Sequence, residues 1–161
     1  MTESLNTQRR ILIVDDVEDN RNVLERHLRR AGFATDLAAD GMIAINMISA
    51  SPPDVVLLDW MMPGLSGLET LQAIRERFDE NQVPVIMCTA LGEETTIVDA
   101  IKAGANDFVM KPINMPILMA RIKSQLARKD AVDMLKRENS ALESSLYERT
   151  RDLLNTRADN V

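Results

Sequence analysis

Reactive side chains follow directly on short apolar runs at four places in the chain. Residues 11–14 run into Asp15 and Asp16, residues 55–58 into Asp59, residues 85–88 into Thr89, and residues 108–110 into Lys111 and Pro112. Continuous apolar runs are what strands buried on both faces of a parallel sheet look like. Open parallel sheets bind ligands outside the carboxyl ends of their strands. The three carboxylates are therefore expected at one edge, where they repel one another and demand a counter-charge. Lys111 brings one positive charge, too little for three. A hard divalent cation completes the balance, and Mg²⁺ suits carboxylate oxygens, waters and a substrate phosphate. The rim thus reads as a magnesium-dependent phosphate site. Asp59, the single acid after the central run, is placed to act as a nucleophile toward phosphorus and form an acyl phosphate. The cation and Lys111 would neutralise the phosphoryl charge, and Thr89 would offer its hydroxyl to one phosphoryl oxygen.

Helically spaced segments separate these runs and must position their ends. Val23, Leu24, His27 and Leu28 form one stripe, and Ile43, Ala44, Met47 and Ile48 a second. Leu68, Leu71, Ile74 and Phe78 form a third, and Ile97, Ala100, Ile101 and Gly104 a fourth. A weaker apolar segment, residues 33–39, adds a strand between the first two runs. Strand and helix alternating five times predict an α/β, doubly wound parallel sheet, with right-handed crossovers placing helices on both faces. Gly32, Gly104 and the run Ser51-Pro52-Pro53 sit where helices should stop. Asp36, Asp40 and Asp54 are expected as caps or surface residues.

The pattern changes after Pro116: from residue 117 to residue 161 there is neither glycine nor proline. Val132, Leu135, Asn139, Leu142, Leu146, Arg149 and Leu153 recur at alternating steps of three and four, a heptad with Asn139 at an a position and Arg149 at a d position. The last helix of the α/β domain is expected to continue as a coiled coil that pairs two copies in parallel, with modest affinity because Arg149 and a Glu138–Glu143 contact weaken the seam. The predicted organisation is an N-terminal tail over 1–8, the α/β domain over 9–127, and a dimerisation helix over 128–161.

Composition narrows the function further. The formal net charge is −6, and residues 1–126 hold 12 Lys/Arg against 18 Asp/Glu while residues 127–161 hold 7 of each. The α/β part lacks the basic footprint that phosphate backbones require, which argues against direct nucleic-acid binding. The lone Cys88 excludes an intramolecular disulfide framework and a multi-cysteine zinc site. The lone His27 leaves no material for a histidine metal cluster or a histidine-based hydrolytic relay. No signal-peptide pattern opens the chain and no apolar stretch approaches membrane-spanning length, so a soluble cytoplasmic protein is expected.

The segments ILIVDD (11–16), VVLLDWMMPGLSG (55–67), VIMCTA (85–90) and GANDFVMKPI (104–113) occur in order, and over about residues 9–127 the chain resembles the receiver domain of bacterial two-component response regulators. The resemblance implies a flavodoxin-like fold with strand order 2-1-3-4-5 and Asp59 as phosphoacceptor for a histidine kinase or phosphotransfer protein. It implies Mg²⁺ ligation by Asp16, Asp59 and the backbone carbonyl of Met61, with Asp15 assisting through water. Lys111 would pair with the phosphoryl group, Thr89 and Phe108 would act as switch residues, and the Lys111–Pro112 bond would be cis. Met61 and Leu91, two positions after Asp59 and Thr89, would flank the approach of water; both are apolar, which implies a long-lived acyl phosphate. The helical stretch that follows resembles linkers preceding second-messenger output enzymes, diguanylate cyclases or phosphodiesterases, and an output domain beyond residue 161 is one expectation.

Rival chemistries lack their residues. A phosphatase of the haloacid dehalogenase type needs a general acid two positions after its nucleophile, and Met61 stands there. Neither a P-loop motif nor a dinucleotide glycine fingerprint is present. The remaining alternative is a receiver-like dimerisation scaffold that phosphorylation does not regulate.

Overall fold

The computed structural model describes residues 8–90 and 94–160. Five strands, β1 (Arg10–Val14), β2 (Ala34–Ala38), β3 (Val55–Asp59), β4 (Val85–Ala90) and β5 (Asp107–Lys111), form one sheet of order β2-β1-β3-β4-β5. Every neighbouring pair is parallel. The helices are α1 (Glu18–Arg30), α2 (Gly41–Ala50), α3 (Gly67–Arg75), α4 (Glu94–Lys102) and α5 (Met115–Ala158). This is the flavodoxin-like doubly wound sheet that the alternating pattern and the resemblance led us to expect.

The period-two alternation of strand side chains divides the core into two layers. Leu12 and Val14 of β1 join Val56 and Leu58 of β3 under Ala44, Ile48, Leu71, Ile74 and Ala100 of α2, α3 and α4. Ile11 and Ile13 join Val55 and Leu57 under Leu24 and Leu28 of α1 and Leu118, Ile122 and Leu126 of α5. Burial on both sides explains why β1 and β3 read as unbroken apolar runs.

Helix ends follow local chemistry. The Asp40 side chain accepts from the Ile43 amide at 2.8 Å and starts α2. Ser66 and Glu69 form a reciprocal capping box at the start of α3. The Asn114 side chain accepts from the Ile117 amide at 3.2 Å as α5 begins. Gly32 and Gly104, at φ +95° and +102°, end α1 and α4 in the left-handed conformation that a side chain would resist.

The stripes read from sequence prove wider than the buried faces. Leu24 and Leu28 are buried, whereas Val23 and His27 lie on the open side of α1. Ile43 and Ile101 are likewise exposed beside buried Ala44 and Ala100. His27 is thus a surface residue whose Nδ1 lies 2.8 Å from the Val23 carbonyl.

The chain divides into two units, Met1–Leu126 and Ala127–Val161. The second consists of the later turns of α5, and most of its side chains are exposed. Among the described residues no helix is long and apolar enough to cross a membrane.

Candidate phosphoacceptor site

The carboxyl ends of β1, β3, β4 and β5 carry the site. β3 ends on Asp59, whose register partner in β4 is Cys88, so Thr89 stands one residue further along. Lys111 closes β5 opposite Ala90. Asp15 follows β1, and its amide donates to the Ala38 carbonyl of β2 at 3.2 Å. Parallel register alone therefore brings four chemically active positions to one edge.

Carboxylate oxygens of Asp15, Asp16 and Asp59 all lie within 4.8 Å of one another. Asp15 and Asp59 are buried while Asp16 is exposed, so the cluster opens outward through Asp16. Lys111 Nζ sits 3.1 Å from Asp59 Oδ1 and 3.4 Å from Asp15 Oδ2. Burial pushes the Asp59 carboxyl above its ordinary range; Lys111 opposes that push and the neighbouring Asp15 adds to it. Burial works against the Lys111 charge, yet the hydrogen bond and charge of Asp59, together with Asp15, leave its pKa raised.

One ammonium facing three carboxylates leaves an excess of negative charge. Like charges about 5 Å apart repel by ~3 kcal/mol at an effective dielectric constant of about 20. The carboxylate donor set is all oxygen, and the neighbouring thiol, Cys88, is buried with its pKa pushed up to about 12 by burial. Such a set fits a hard divalent cation and offers nothing to a soft one.

Neighbouring groups fix the carboxylates. Asp15 Oδ1 accepts from the Val17 amide at 2.9 Å, Asp15 Oδ2 accepts from Asn20 at 3.4 Å, and Arg21 donates to the Asp15 carbonyl at 2.7 Å. The Met61 amide donates to Asp59 Oδ1 at 3.4 Å. Asn20 and Arg21 were not singled out from sequence, because polar residues early in a helix look like ordinary solvated positions. Gly67 was missed as well. A Cβ at Gly67 would collide with the Asp59 carbonyl and the Trp60 backbone, so α3 approaches the end of β3 only because that residue is glycine.

Thr89 is 1% exposed, and its Oγ1 has no hydrogen-bond partner among the described residues. A buried hydroxyl left unpaired is costly, and it marks a place where an incoming acceptor atom would be held. Phe108 is half-buried against the α2–α4 core layer. The Lys111–Pro112 peptide is cis. The Met61 side chain is 66% exposed at the rim; Leu91 lies outside the described residues.

Known proteins resemble this chain in sequence and fold. The family described as "Response regulator receiver domain" matches residues 11–123. The phosphate regulon transcriptional regulatory protein PhoB of Rhizobium meliloti is 40% identical over 119 residues, covering 74% of this chain and 52% of that protein. The response regulator PleD of Caulobacter vibrioides is 34% identical over 132 residues, covering 82% of this chain and 29% of its own length. A solved two-component system response regulator/GGDEF domain protein superposes with a TM-score of 0.74 at 27% identity, covering 78% of this chain and 52% of that one. The chain thus spans about half or less of the length of these relatives. With the sheet order, the acidic edge and a match over most of the first unit in agreement, the chain belongs to the response regulator receiver domain family, whose members are phosphoacceptor signalling domains.

Proposed function

We propose that Asp59 accepts a phosphoryl group from the phosphohistidine of a sensor kinase or phosphotransfer protein, and that the change at Asp59 is passed to an output domain or partner. The observation that carries this is the buried Asp59 carboxylate, paired with Lys111 at 3.1 Å inside an all-carboxylate cluster, with a buried Thr89 hydroxyl that has no partner among the described residues. An Asp59 oxygen forms the new bond to phosphorus as the donor's P–N bond breaks and its electron pair returns to the imidazole. Mg²⁺, held by Asp16, Asp59 and the Met61 carbonyl with Asp15 assisting through water, would neutralise charge on the phosphoryl oxygens. Lys111 is close enough to leave Asp59 for a phosphoryl oxygen without leaving the site. Thr89 supplies its hydroxyl to another, drawing the end of β4 inward. Phe108 on the adjacent β5 follows, so the α4–β5–α5 face reports the change. The apolar Met61 at the rim can neither orient nor activate an attacking water, which favours a long-lived phosphorylated state. The response regulator/GGDEF neighbour supports a second-messenger output domain following the helix.

A groove of about 620 Å³ between α1 and the β5–α5 loop opens beside this site. Asp15, Asn20 and Lys111 line its polar end, and Val23, His27, Ile113 and Met115 its apolar length. Its mixed lining, apolar along one side and polar at Asp15 and Lys111, suits a helix of the phosphoryl donor that brings its phosphohistidine to the site.

Acetyl phosphate with Mg²⁺ tests the chemistry without a kinase. Trp60, next to Asp59, should change fluorescence, and the intact mass should rise by one phosphoryl group. Asp59→Asn should abolish both, since an amide is a poor nucleophile and a weaker metal ligand. Full incorporation by that variant moves the acceptor elsewhere. No incorporation by the unaltered chain favours the unregulated scaffold.

A further inference from the structure

The second unit of the chain carries an apolar stripe that nothing among its described residues covers. Leu135, Leu142, Leu146 and Leu153 are 59%, 61%, 63% and 70% exposed. With Val132, Asn139 and Arg149 they recur at alternating steps of three and four residues, the spacing of a two-stranded seam. We infer that the stripe is covered by the same stripe of a second copy of this chain, parallel and in register. This goes beyond the phosphoacceptor reading and does not depend on it.

Three features select a second copy. Asn139 stands in the middle of the seam, and its amide both donates and accepts, so an identical Asn139 directly opposite satisfies it. Residues 127–161 hold equal numbers of acidic and basic residues, 7 of each, so two copies carry no net repulsion. In the parallel register Asp152 at g meets Arg157 at e of the other copy, twice by symmetry. Against these stand Glu138 facing Glu143 of the other copy, and Arg149 facing its twin. An antiparallel seam would set Asn139 against Arg149, but its rim would face Glu138 with Asp152 and Glu143 with its twin, with no opposite-charge pair to offset them. The parallel register is therefore the better balanced, and Arg149 keeps its affinity modest.

Cross-linking reads the register directly on the full chain. Asn139→Cys should form a disulfide-linked dimer under mild oxidation, because only a parallel, in-register pair places position 139 opposite itself. The unaltered chain should not cross-link, since Cys88 is buried. Leu142→Asp with Leu146→Asp should give monomers by light scattering, and Arg149→Leu should tighten the dimer by tenfold or more. Acetyl phosphate labelling and the urea unfolding midpoint of the first unit should match the unaltered chain in the Asp variant, which separates loss of the dimer from loss of the domain and from failure of the phosphoacceptor reading. A monomeric parent chain, no cross-link at position 139, an Asp variant that remains dimeric, or an unchanged dimer affinity in Arg149→Leu would each overturn the inference.

Discussion

At the scale of single residues, the site is built from a few side chains whose environments force their roles. Asp59 is buried, so its charge needs a partner; Lys111 supplies one, shared with the neighbouring Asp15, whose like charge adds to the strain. Less visible is Gly67, which lets the start of α3 press on the backbone that carries Asp59. Its amide donates to the Trp60 carbonyl at 3.0 Å, and a methyl group there would strike the Asp59 carbonyl and the Trp60 backbone. Gly67→Ala should destabilise the first unit by about 1–3 kcal/mol, as overpacking of a tight contact does, and should slow labelling by acetyl phosphate as the β3 end shifts. Urea unfolding and a labelling time course check both; an unchanged midpoint would mean that α3 can retreat freely. Asp15, Asp16, Asp59, Thr89 and Lys111 were legible in the sequence because polar residues stand out after apolar runs. Gly67, Asn20 and Arg21 were not, because their importance lies in distances to other elements, which spacing along the chain does not encode.

At the scale of elements, strands were easier to read than helix faces. A run buried on both sides has one interpretation, whereas an i, i+3, i+4 stripe includes residues at its rim. Val23 shows the consequence: it belongs by spacing to the α1 stripe, yet it is 48% exposed and lines the groove beside Asp15 and Lys111. Val23→Glu should leave labelling by acetyl phosphate intact while slowing transfer from a phosphorylated donor protein about tenfold or more, since about 1.4 kcal/mol lost at the contact is a tenfold effect. Equal effects on both donors would remove the groove from the reading. At the opposite edge of the sheet, Arg75 at the end of α3 ties three elements together. Its guanidinium donates to the carbonyls of Gly104 and Val83 at 2.8 Å each, to that of Asp79 at 3.1 Å, and to Asn106 Oδ1 at 2.9 Å. Burial lowers its pKa. Arg75→Met keeps most of the side-chain volume but strands these acceptors, and should cost about 2–4 kcal/mol in urea unfolding. Nothing in the sequence distinguishes this arginine from its solvated neighbours; only the folded loops around it do.

At the scale of the whole molecule, the charge distribution and the site belong to one balance. The first 126 residues carry the entire acidic excess of six charges, and part of it is held within 4.8 Å at one edge of the sheet. A carboxyl whose folded-state pKa is raised contributes stability only while protonated. As pH rises from its unfolded value through the folded one, that contribution is lost, so ionisation of Asp59 destabilises the fold. Two outcomes follow for thermal unfolding near pH 7. A ligand that binds the folded state alone adds about 2.7 kcal/mol at a hundred times its dissociation constant, and Mg²⁺ at the proposed site should act as such a ligand. For a chain of this size that corresponds to a rise in Tm of roughly 5–10 °C. Sodium chloride at matched ionic strength should give a smaller rise, because screening weakens the repulsion without bridging the oxygens. Asp16→Ala should lose most of the Mg²⁺ response. Asp59→Asn should raise Tm on its own without metal, because it removes a buried charge, and the response to Mg²⁺ then flattens. The two effects share one cause, so they must appear together. A metal-free Asp59→Asn variant less stable than the parent would show that Lys111 already balances the site, and the need for a cation would have to be argued from the phosphoryl group alone.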